Sequence, residues 1–517
     1  MLLIALSKVF RVQSKTALGC LKMSILEEPI KDVGLVKNYI NGEWVESESD
    51  KVLNVLNPAL MKTIGKVPMS TKEEVDRAVK SAVEAFPDWR RTPPLARARY
   101  LFRLKDLLEE NFERLSRIQT MEHGKTIDES RGETRRGIEM VEVATGITSL
   151  MMGENLEDIA AGIDEYVIRQ PLGVFACIPA FNFPFMIPLW FFPFAVACGN
   201  TYVVKPSPFD PISQVELIKL CEEAGFPPGV INMVHGGEEV SNHLLEHPDI
   251  KGINFVGSTA VGKIIYSKCG ETGKRCGAQC GAKNFLMVMP DCDLKSTISG
   301  CMNSIYGNAG QRCLAGANVL VVGQDDGYYE KFRDLFVDAA SKIRVGYGLD
   351  ESVQMGPLQA PQRKQRVVGA IERGVAEGAK LLLDGRNVKT VGDLPQTCFL
   401  NPSVFDEVEA DMEIAREEIF GPVAMLMRAE NFDEAIEMVN ASRYGNASSI
   451  FTSSGKYARE FQYRVECGNI GVNIGVAAPM AFFPFGGMKD SFFGTLHAQK
   501  DTIDFFTDKK IVIQRWI

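Results

Sequence analysis

The 517-residue sequence lacks the patterns that mark a metal site, a disulfide framework or a nucleic-acid-binding surface. Its five histidines are widely spread, and its twelve cysteines include no C-x-x-C pair. A structural zinc site needs four closely placed ligands, so we expect no metal and interpret the cysteines as free thiols in a reducing compartment. Lysine and arginine form no basic stripe, and the net charge is −9. Nucleic acid is therefore not an expected partner.

Charged residues are absent from 171–204, where hydropathy alone would suggest a membrane span. Pro179, Pro184, Pro188, Pro193 and Gly199 interrupt this stretch and would break a spanning helix repeatedly. Asn182 and Asn200 add amides that a hydrocarbon layer would not tolerate. We predict buried core and loop here, and no membrane partner.

The N-terminal residues carry only basic charges before Glu27. This composition is weakly similar to an organelle presequence, but an upstream start ahead of Met23 or a short disordered arm is the interpretation we favour. No small-residue cleavage site of a secretory signal follows the apolar run. We expect residues 1–30 to form an N-terminal arm and the protein to be cytoplasmic, or to lie in the mitochondrial matrix if the source is eukaryotic.

Helical and strand-like patterns alternate along the chain, which predicts α/β layers with a largely parallel sheet and two or three domains. Ser70 and Glu73 have the spacing of a capping box at the start of one helix. A second helical pattern runs from about Ala96 to Gln119. Short β-branched runs follow at Tyr202–Val204, Ile231–Val234, Ile253–Val256 and Val319–Val322.

A glycine-lined turn, Gly257–Lys263, follows one of these strands. It matches a phosphate-binding P-loop except that Ile264 stands where a Ser or Thr would hold Mg²⁺, which disfavours an ATPase or GTPase. Such a turn can still offer backbone N–H groups to a pyrophosphate, although a plain strand-to-helix connection is the alternative. The G-x-G-x-x-G pattern of the usual dinucleotide fold is absent.

Two further segments carry candidate chemistry. Lys205 follows a β-branched strand, at the position where open α/β sheets bind ligands, although it could also be a solvated loop lysine. Cys313 ends the small-residue segment Gly307–Cys313, next to Arg312, which favours an accessible thiolate. Most cysteines are inert core residues, so this motif is weak by itself.

Together these segments resemble the aldehyde dehydrogenase superfamily, from about Lys37 to the C-terminus. The matches have that family's order and spacing: Phe181–Pro184, Lys205–Ser207, Phe255–Ser258, Gly310–Cys313, Glu417–Pro422 and Pro484–Gly487. The resemblance implies that Cys313 attacks an aldehyde and that the Asn182 amide, with the Cys313 backbone N–H, holds the oxyanion. It also implies that NAD is bound by Pro179, Phe181, Lys205, Pro208, Phe209, Gly257, Ser258, Cys280, Glu418 and Phe420.

One departure from the superfamily changes the expected reaction. Hydrolytic members use a Glu as base in an E-L-G-G-K segment, where this chain reads Gln279–Lys283. A glutamine amide cannot accept a proton at neutral pH, so the thioester on Cys313 needs a better nucleophile than water. A thiol such as coenzyme A suits this role. The chain most resembles the CoA-acylating methylmalonate-semialdehyde dehydrogenase branch, which forms propionyl-CoA or acetyl-CoA and CO₂.

The substrates of that branch carry a carboxylate, and Arg136 and Arg312 are the matching candidates to bind it. Ordinary ion pairs with Glu133 or Glu139 are the alternative for both arginines. Pro208 and Phe209 replace the family's usual Glu-Arg, which leaves the choice between NAD and NADP less certain. An aldehyde dehydrogenase of another substrate, hydrolytic or acylating, and a non-catalytic protein of the same fold remain as alternatives.

The resemblance also implies an architecture: a Rossmann-type cofactor domain, an α/β catalytic domain and a small β oligomerisation arm. We expect the cofactor domain at 31–148 and 170–282, the arm at 149–169 and 485–517, and the catalytic domain at 283–484. The strand-like run Lys509–Trp516 suits pairing with a neighbouring subunit, which predicts a homodimer or homotetramer.

Overall fold

The computed structural model describes residues 25–495 and 499–517. Most of the predicted N-terminal arm, and the question of a presequence, lie outside the described residues. Two large sheets, each covered by helices, make up most of the described chain. The prediction of α/β layers with a largely parallel sheet is confirmed.

The first sheet has eight strands, of which the five central ones are mutually parallel. In spatial order the strands are Glu43–Val45, Asn38–Ile40, Ile231–Met233, Thr201–Val204, Val174–Ile178, Ile250–Val256, Arg275–Gln279 and Phe492–Gly494. The helices of this half of the molecule are Lys72–Arg91, Pro94–Glu110, Phe112–His123, Ile127–Thr145, Ile147–Leu150, Met186–Leu189, Phe192–Cys198, Ile212–Glu223, Glu238–Glu246, Thr259–Glu271 and Thr502–Phe506.

The second sheet has seven strands, all parallel except the first, which is an antiparallel edge. In spatial order they are Lys380–Leu383, Ser403–Asp406, Val423–Ala429, Asn318–Val322, Phe285–Val288, Ala447–Phe451 and Asn469–Val472. Its helices are Leu294–Tyr306, Asp326–Ser341, Pro361–Ala376, Glu413–Arg416, Phe432–Asn440 and Gly455–Arg464, and short 3₁₀ turns lie at Gly307–Gly310 and Gln499–Asp501.

A separate three-stranded sheet joins the C-terminal strand Thr507–Arg515 to the hairpin Asn155–Ala160 and Ile163–Pro171. Two strand pairs complete the fold: Val52–Asn57 with Lys62–Pro68, and Tyr444–Gly445 with Met488–Lys489. The C-terminal part of the predicted arm first returns to the first sheet. Its strand Phe492–Gly494 pairs antiparallel with Arg275–Gln279 before the chain reaches the hairpin.

Two local predictions were wrong in detail. The capping box is formed by Thr71 and Glu74, one residue later than predicted, because the Ser70 hydroxyl contacts Asn38 inside the core. The helical pattern from Ala96 to Gln119 is two helices, which end and begin at Asn111. The Asn111 side-chain amide donates back to Leu107 O at 2.9 Å. A side chain that bonds to the backbone in this way commonly marks the end of a helix.

The uncharged stretch 171–204 lies in the core, as predicted. It supplies two central strands of the first sheet and the helix Phe192–Cys198, whose residues are all buried. Among the described residues, no helix combines the length and the apolar character needed to cross a membrane.

Candidate active site

A cavity of about 350 Å³ lies where four parallel strands of the first sheet end. Pro179, Lys205, Gly257 and Cys280 each directly follow one of these strands and line the cavity. Ligands in open α/β sheets bind at this edge because backbone N–H groups and loop side chains converge there. Loops of the second sheet close the other side and contribute Cys313, Glu418 and Phe420.

The structure brings together around this one cavity every residue predicted to act in catalysis or to bind the cofactor. These residues are Cys313, Asn182, Pro179, Phe181, Lys205, Pro208, Phe209, Gly257, Ser258, Cys280, Glu418 and Phe420. Their juxtaposition is a structural fact, whereas the role of each remains a prediction.

Cys313 lies in a loop whose path depends on left-handed backbone. Asn308, Ala309 and Gly310 have φ angles of 55°, 50° and 72°. A Cβ at Gly310 would lie 2.2 Å from Gly421 O, so only glycine fits there. The Cys313 carbonyl accepts hydrogen bonds from Asn284 Nδ2 at 2.7 Å and Asn446 Nδ2 at 3.1 Å. The backbone that carries the thiol is thus fixed on both sides.

The electrostatic environment of Cys313 favours the neutral thiol. Burial, and next the negative charge of Glu418, raise the pKa of Cys313 to about 12, while the backbone N–H groups of Cys313 and Leu314 oppose this rise. The thiolate is the reactive form, so attack on a substrate requires the proton to leave. Neutralising Glu418 would make that easier.

Asn182 lies opposite this loop and is 3% exposed. Its side-chain Nδ2 donates to Gln311 O at 3.0 Å, two residues before Cys313. The second N–H of the amide makes no hydrogen bond within the described residues, and Asn182 lines the cavity. It can donate to an oxygen that develops negative charge next to Cys313.

Glu418 is the single carboxylate that lines the cavity in the described part of the chain. Its Oε1 accepts the Ala282 N–H at 3.0 Å, and burial raises its pKa to about 7. The buried Lys283 lies close to this carboxylate, and burial lowers its pKa to about 7. Lys283 Nζ makes no hydrogen bond among residues 25–495 and 499–517. The carboxyl of Glu418, which lines the cavity, and the buried amine near it therefore both titrate near neutrality.

Cations exceed anions around the cavity, with Lys205, Arg363 and Arg366 against the one carboxylate. Lys205 Nζ donates to Pro206 O at 3.1 Å and Gly236 O at 3.0 Å, and burial lowers its pKa to about 8. The Arg363 guanidinium lies 3.3 Å from the centre of the Phe181 ring. None of the three cations forms an ion pair within the described part of the chain. The cavity is therefore suited to an anionic ligand.

Arg363, Arg366 and Lys283 were not identified from the sequence. The two arginines are three residues apart near the start of the helix Pro361–Ala376, so they project from one face. Two arginines at this spacing could indicate an anion-binding face, but many surface helices have the same spacing. Only the packing of the second sheet against the first brings this helix face to the cavity.

The glycine turn before the helix Thr259–Glu271 also borders the cavity, through Gly257 and Ser258. Ser258 is the N-cap of this helix, and its side chain makes no capping hydrogen bond. The helix end that borders the cavity thus lacks a capping acceptor from Ser258, and uncapped N–H groups at a helix N-terminus commonly bind phosphate. A Cβ at Gly262 would lie 2.1 Å from Cys280 Sγ, so glycine is needed for the helix to approach the sheet.

The two arginines predicted to bind a substrate carboxylate do not line the described cavity. Arg312 pairs with Glu129 at 3.1 Å and donates to Asn303 O at 3.1 Å. Arg136 pairs with Glu139 at 3.2 Å, which was the alternative foreseen for it. Both lie near the segments that carry Cys313 and Asn182, but each already has an acidic partner.

Gln279 ends the strand Arg275–Gln279 and is 5% exposed. Its side-chain Oε1 has no hydrogen-bond partner among the described residues. An amide at this point can orient a polar group but cannot act as a base. No group of three or more His, Cys, Asp or Glu side chains suited to a metal occurs in residues 25–495 and 499–517.

Comparison with known proteins identifies similar chains over almost the whole length. The aldehyde dehydrogenase family model matches residues 44–512. Malonate-semialdehyde dehydrogenase 2 of Geobacillus kaustophilus is 48% identical over 485 residues, which are 94% of this chain and 99% of that protein. The malonate-semialdehyde dehydrogenase of Halalkalibacterium halodurans is 46% identical, over 93% of this chain and 98% of its own.

Two solved structures are also similar over almost the whole chain. A methylmalonate-semialdehyde dehydrogenase from Oceanimonas doudoroffii superposes with a TM-score of 0.91 at 39% identity, covering 94% of this chain and 99% of that one. A Sinorhizobium meliloti protein assigned to the same activity, solved with NAD, also has a TM-score of 0.91, at 38% identity and 93% and 98% coverage.

Proposed function

Because the chain belongs to the aldehyde dehydrogenase family, we propose that it oxidises malonate or methylmalonate semialdehyde, with NAD as hydride acceptor and coenzyme A as acyl acceptor. The products of the proposed reaction are acetyl-CoA or propionyl-CoA, CO₂ and NADH. The relatives named for malonate semialdehyde and methylmalonate semialdehyde support this choice of substrate. The single observation that carries the acylating step is Gln279, which stands where a base would activate water.

The cavity fits a dinucleotide. Lys205, Arg363 and Arg366 line it without ion-pair partners in the described residues, and a helix N-terminus borders it. A pyrophosphate would gain charge-assisted hydrogen bonds from these groups without displacing an acidic partner. The bound dinucleotide supplies the acceptor for the hydride that leaves the substrate carbon. The rings of Phe181 and Phe420, which contact edge to face at 5.8 Å between centroids, offer apolar walls.

The proposed chemistry at Cys313 forms and breaks one carbon–sulfur bond. The thiolate adds to the aldehyde carbon, and the oxyanion accepts a hydrogen bond from the Asn182 amide and from the Cys313 N–H. Loss of hydride converts the adduct to a thioester on Cys313. Attack by the CoA thiolate on that carbonyl then restores the Cys313 thiolate and releases the acyl-CoA.

Loss of CO₂ fits the thioester stage. A carboxylate on the carbon next to a thioester carbonyl can leave as CO₂, because the electron pair of the broken carbon–carbon bond is delocalised onto the carbonyl oxygen. The Asn182 donor stabilises that oxygen in the same way as the earlier oxyanion, and the carbon then takes up a proton. Arg312 or Arg136 would hold the carboxylate before it leaves, in exchange for part of its present pairing with Glu129 or Glu139.

A hydrolytic aldehyde dehydrogenase is the second candidate, because Glu418 offers a carboxylate in the same cavity. Its pKa of about 7 would suit a general base near neutral pH. NADH formation from malonate semialdehyde and NAD, recorded with and without coenzyme A, separates the two. We expect steady turnover only with coenzyme A and an acyl-CoA product identified by mass. Steady turnover in buffer alone, unchanged by coenzyme A, would favour the hydrolytic reaction and contradict the proposal.

We also propose that the C-terminal strand Thr507–Arg515 supports a homodimer or homotetramer. It is an edge of its three-stranded sheet, and Ile511, Ile513 and Trp516 expose about two thirds of their surface. Exposed apolar residues on an open strand edge favour association. Sedimentation velocity on the whole chain and on a chain shortened after Phe506 tests this, and an unchanged assembly would contradict it.

A further inference from the structure

A fully buried ion pair lies behind Asn182, outside the cavity. Lys125 Nζ contacts Glu133 Oε2 at 2.5 Å, and both side chains are 0% exposed. Lys125 follows the helix Phe112–His123, which ends at the left-handed Gly124, and Glu133 lies in the next helix, Ile127–Thr145. Neither residue lines the cavity, so neither would touch substrate or cofactor.

Both members of the pair bind the backbone of the segment that carries Asn182. Lys125 Nζ donates to Asn182 O at 2.7 Å. Glu133 Oε1 accepts the N–H groups of Phe185 and Met186 at 3.0 and 3.1 Å. The ammonium thus binds the segment at the Asn182 carbonyl, and the carboxylate binds it at the N–H groups three and four residues later. The two charged groups also hold each other in place through their ion pair.

Asn308 connects the same carbonyl to the nucleophile loop. Its Nδ2 donates to Asn182 O at 3.2 Å and to Gln311 O at 3.3 Å. Gln311 O is also the acceptor of the Asn182 side-chain amide. Lys125, Asn308 and the Asn182 amide thus form one hydrogen-bonded unit that ends two residues from Cys313.

The energetics indicate a purpose other than stability. A buried ion pair loses hydration that its attraction barely recovers, so apolar residues of the same volume would often hold the fold as well. An oxyanion donor, in contrast, must be placed before the reaction, and an error of about 1 Å in position can cost roughly 100-fold in rate. We propose that Lys125, Glu133 and Asn308 are positioning residues that aim the Asn182 amide at the oxyanion. This inference rests on the proposed function, since it presupposes that Asn182 stabilises an oxyanion.

A double-mutant cycle tests the inference. One variant carries both Lys125→Met and Glu133→Gln, which removes both charges at once, so that no unpaired ion is left buried. The burst rate of NADH formation, which reports acylation of Cys313, is measured for this variant, for Asn182→Ala and for their combination. Loss of one oxyanion donor costs about 10²–10³-fold. We expect a loss of at least about 10-fold from the pair variant, and a combined variant within about threefold of Asn182→Ala alone.

Two readouts distinguish positioning from general damage. Alkylation of Cys313 by iodoacetamide needs no oxyanion donor and should change less than about twofold, as should the Kd for NAD. Losses that multiply in the combined variant, or a burst equal to wild type in the pair variant, would overturn the inference. If Asn182→Ala itself leaves the burst unchanged, the proposed oxyanion role fails instead. Should the pair variant not fold, the same cycle with Asn308→Gly decides, since glycine keeps the left-handed backbone of position 308 while removing the side-chain amide. Multiplied losses there would also overturn the inference.

Discussion

Replacing Gln279 with glutamate places a titratable carboxyl at the end of the strand Arg275–Gln279, where the family resemblance puts a base. The new carboxyl would be as buried as the amide it replaces, with no hydrogen-bond partner at the Oε1 position in the described part of the chain. Burial also raises the pKa of Glu418, a carboxyl that lines the cavity, to about 7. The same burial should raise the pKa of the new carboxyl above its usual range, so its ionised fraction grows as the pH rises from 6 to 9.

An ionised base next to the thioester should open a route to hydrolysis. A positioned general base contributes roughly 10²–10⁴-fold to proton transfer. We therefore expect Gln279→Glu to raise the CoA-independent turnover about 100-fold or more at pH 8, with less gain below pH 7, where the carboxyl takes up a proton. The burst of NADH that precedes deacylation should change little, because acylation does not use this residue.

The assay follows NADH at pH 6–9 without coenzyme A and identifies the free acid by mass. Gln279→Met is the matched control, since it keeps the side-chain length without a base and should stay as slow as wild type. A Gln279→Glu protein that binds NAD and shows the normal burst, yet hydrolyses no faster than wild type, would refute the account of why this chain needs a thiol acceptor.

The remaining predictions concern the thiol, the cofactor cavity and one helix contact. The ionised Glu418 raises the pKa of Cys313, so in the wild-type protein the rate of Cys313 alkylation should rise less than tenfold per pH unit between pH 6 and 8. In Glu418→Gln this rate should rise the full tenfold per pH unit, and above pH 7 it should be several-fold higher than in wild type. Arg363→Ala should weaken NAD binding about tenfold by calorimetry, because it removes a cavity cation that forms no ion pair within the described residues. Gly262→Ala should lower the free energy of unfolding by about 1–3 kcal/mol in urea, because its Cβ would overlap the thiol of Cys280.

Matched controls are available for two of these predictions. Lys364 neighbours Arg363 but donates to Gln396 O, outside the cavity, so Lys364→Ala should leave NAD binding unchanged. Gly270 lies in the same helix as Gly262, and a Cβ there would meet no described atom within 4 Å, so Gly270→Ala should be neutral or stabilising. Equal NAD affinity of Arg363→Ala and Lys364→Ala would contradict the role of Arg363 in the cavity. Equal destabilisation by Gly262→Ala and Gly270→Ala would contradict the close helix–sheet contact at Gly262.

Some residues could be predicted from the sequence because they directly follow a predicted strand. Lys205 and Gly257 each follow a β-branched strand, and parallel strands end at one edge of the sheet. Cys280 was predicted through the family resemblance alone. Cys313 could be identified through its small-residue loop together with the ordered family segments. Local pattern and resemblance were sufficient for these residues.

Residues that depend on packing between distant elements could not be predicted. Arg363 reaches the cavity only because its helix packs at the junction of the two sheets, 50 residues after Cys313. The pairing of Lys125 with Glu133 depends on the path of the short loop between the helices Phe112–His123 and Ile127–Thr145, which no periodicity encodes. Arg312 stays a candidate to bind the substrate carboxylate, and its present ion pair with Glu129, from the first turn of the helix Ile127–Thr145, could not be predicted from local pattern either.

The most direct test of the central claim is the state of Cys313 when coenzyme A is withheld. The protein is mixed with malonate semialdehyde and NAD, NADH is counted per subunit, and the intact and digested masses are recorded. We predict a burst of about one NADH per subunit, followed by arrest, with an acyl adduct on the peptide containing Cys313 that coenzyme A removes. Continuous NADH formation without coenzyme A, or an adduct that does not map to Cys313, would contradict the account.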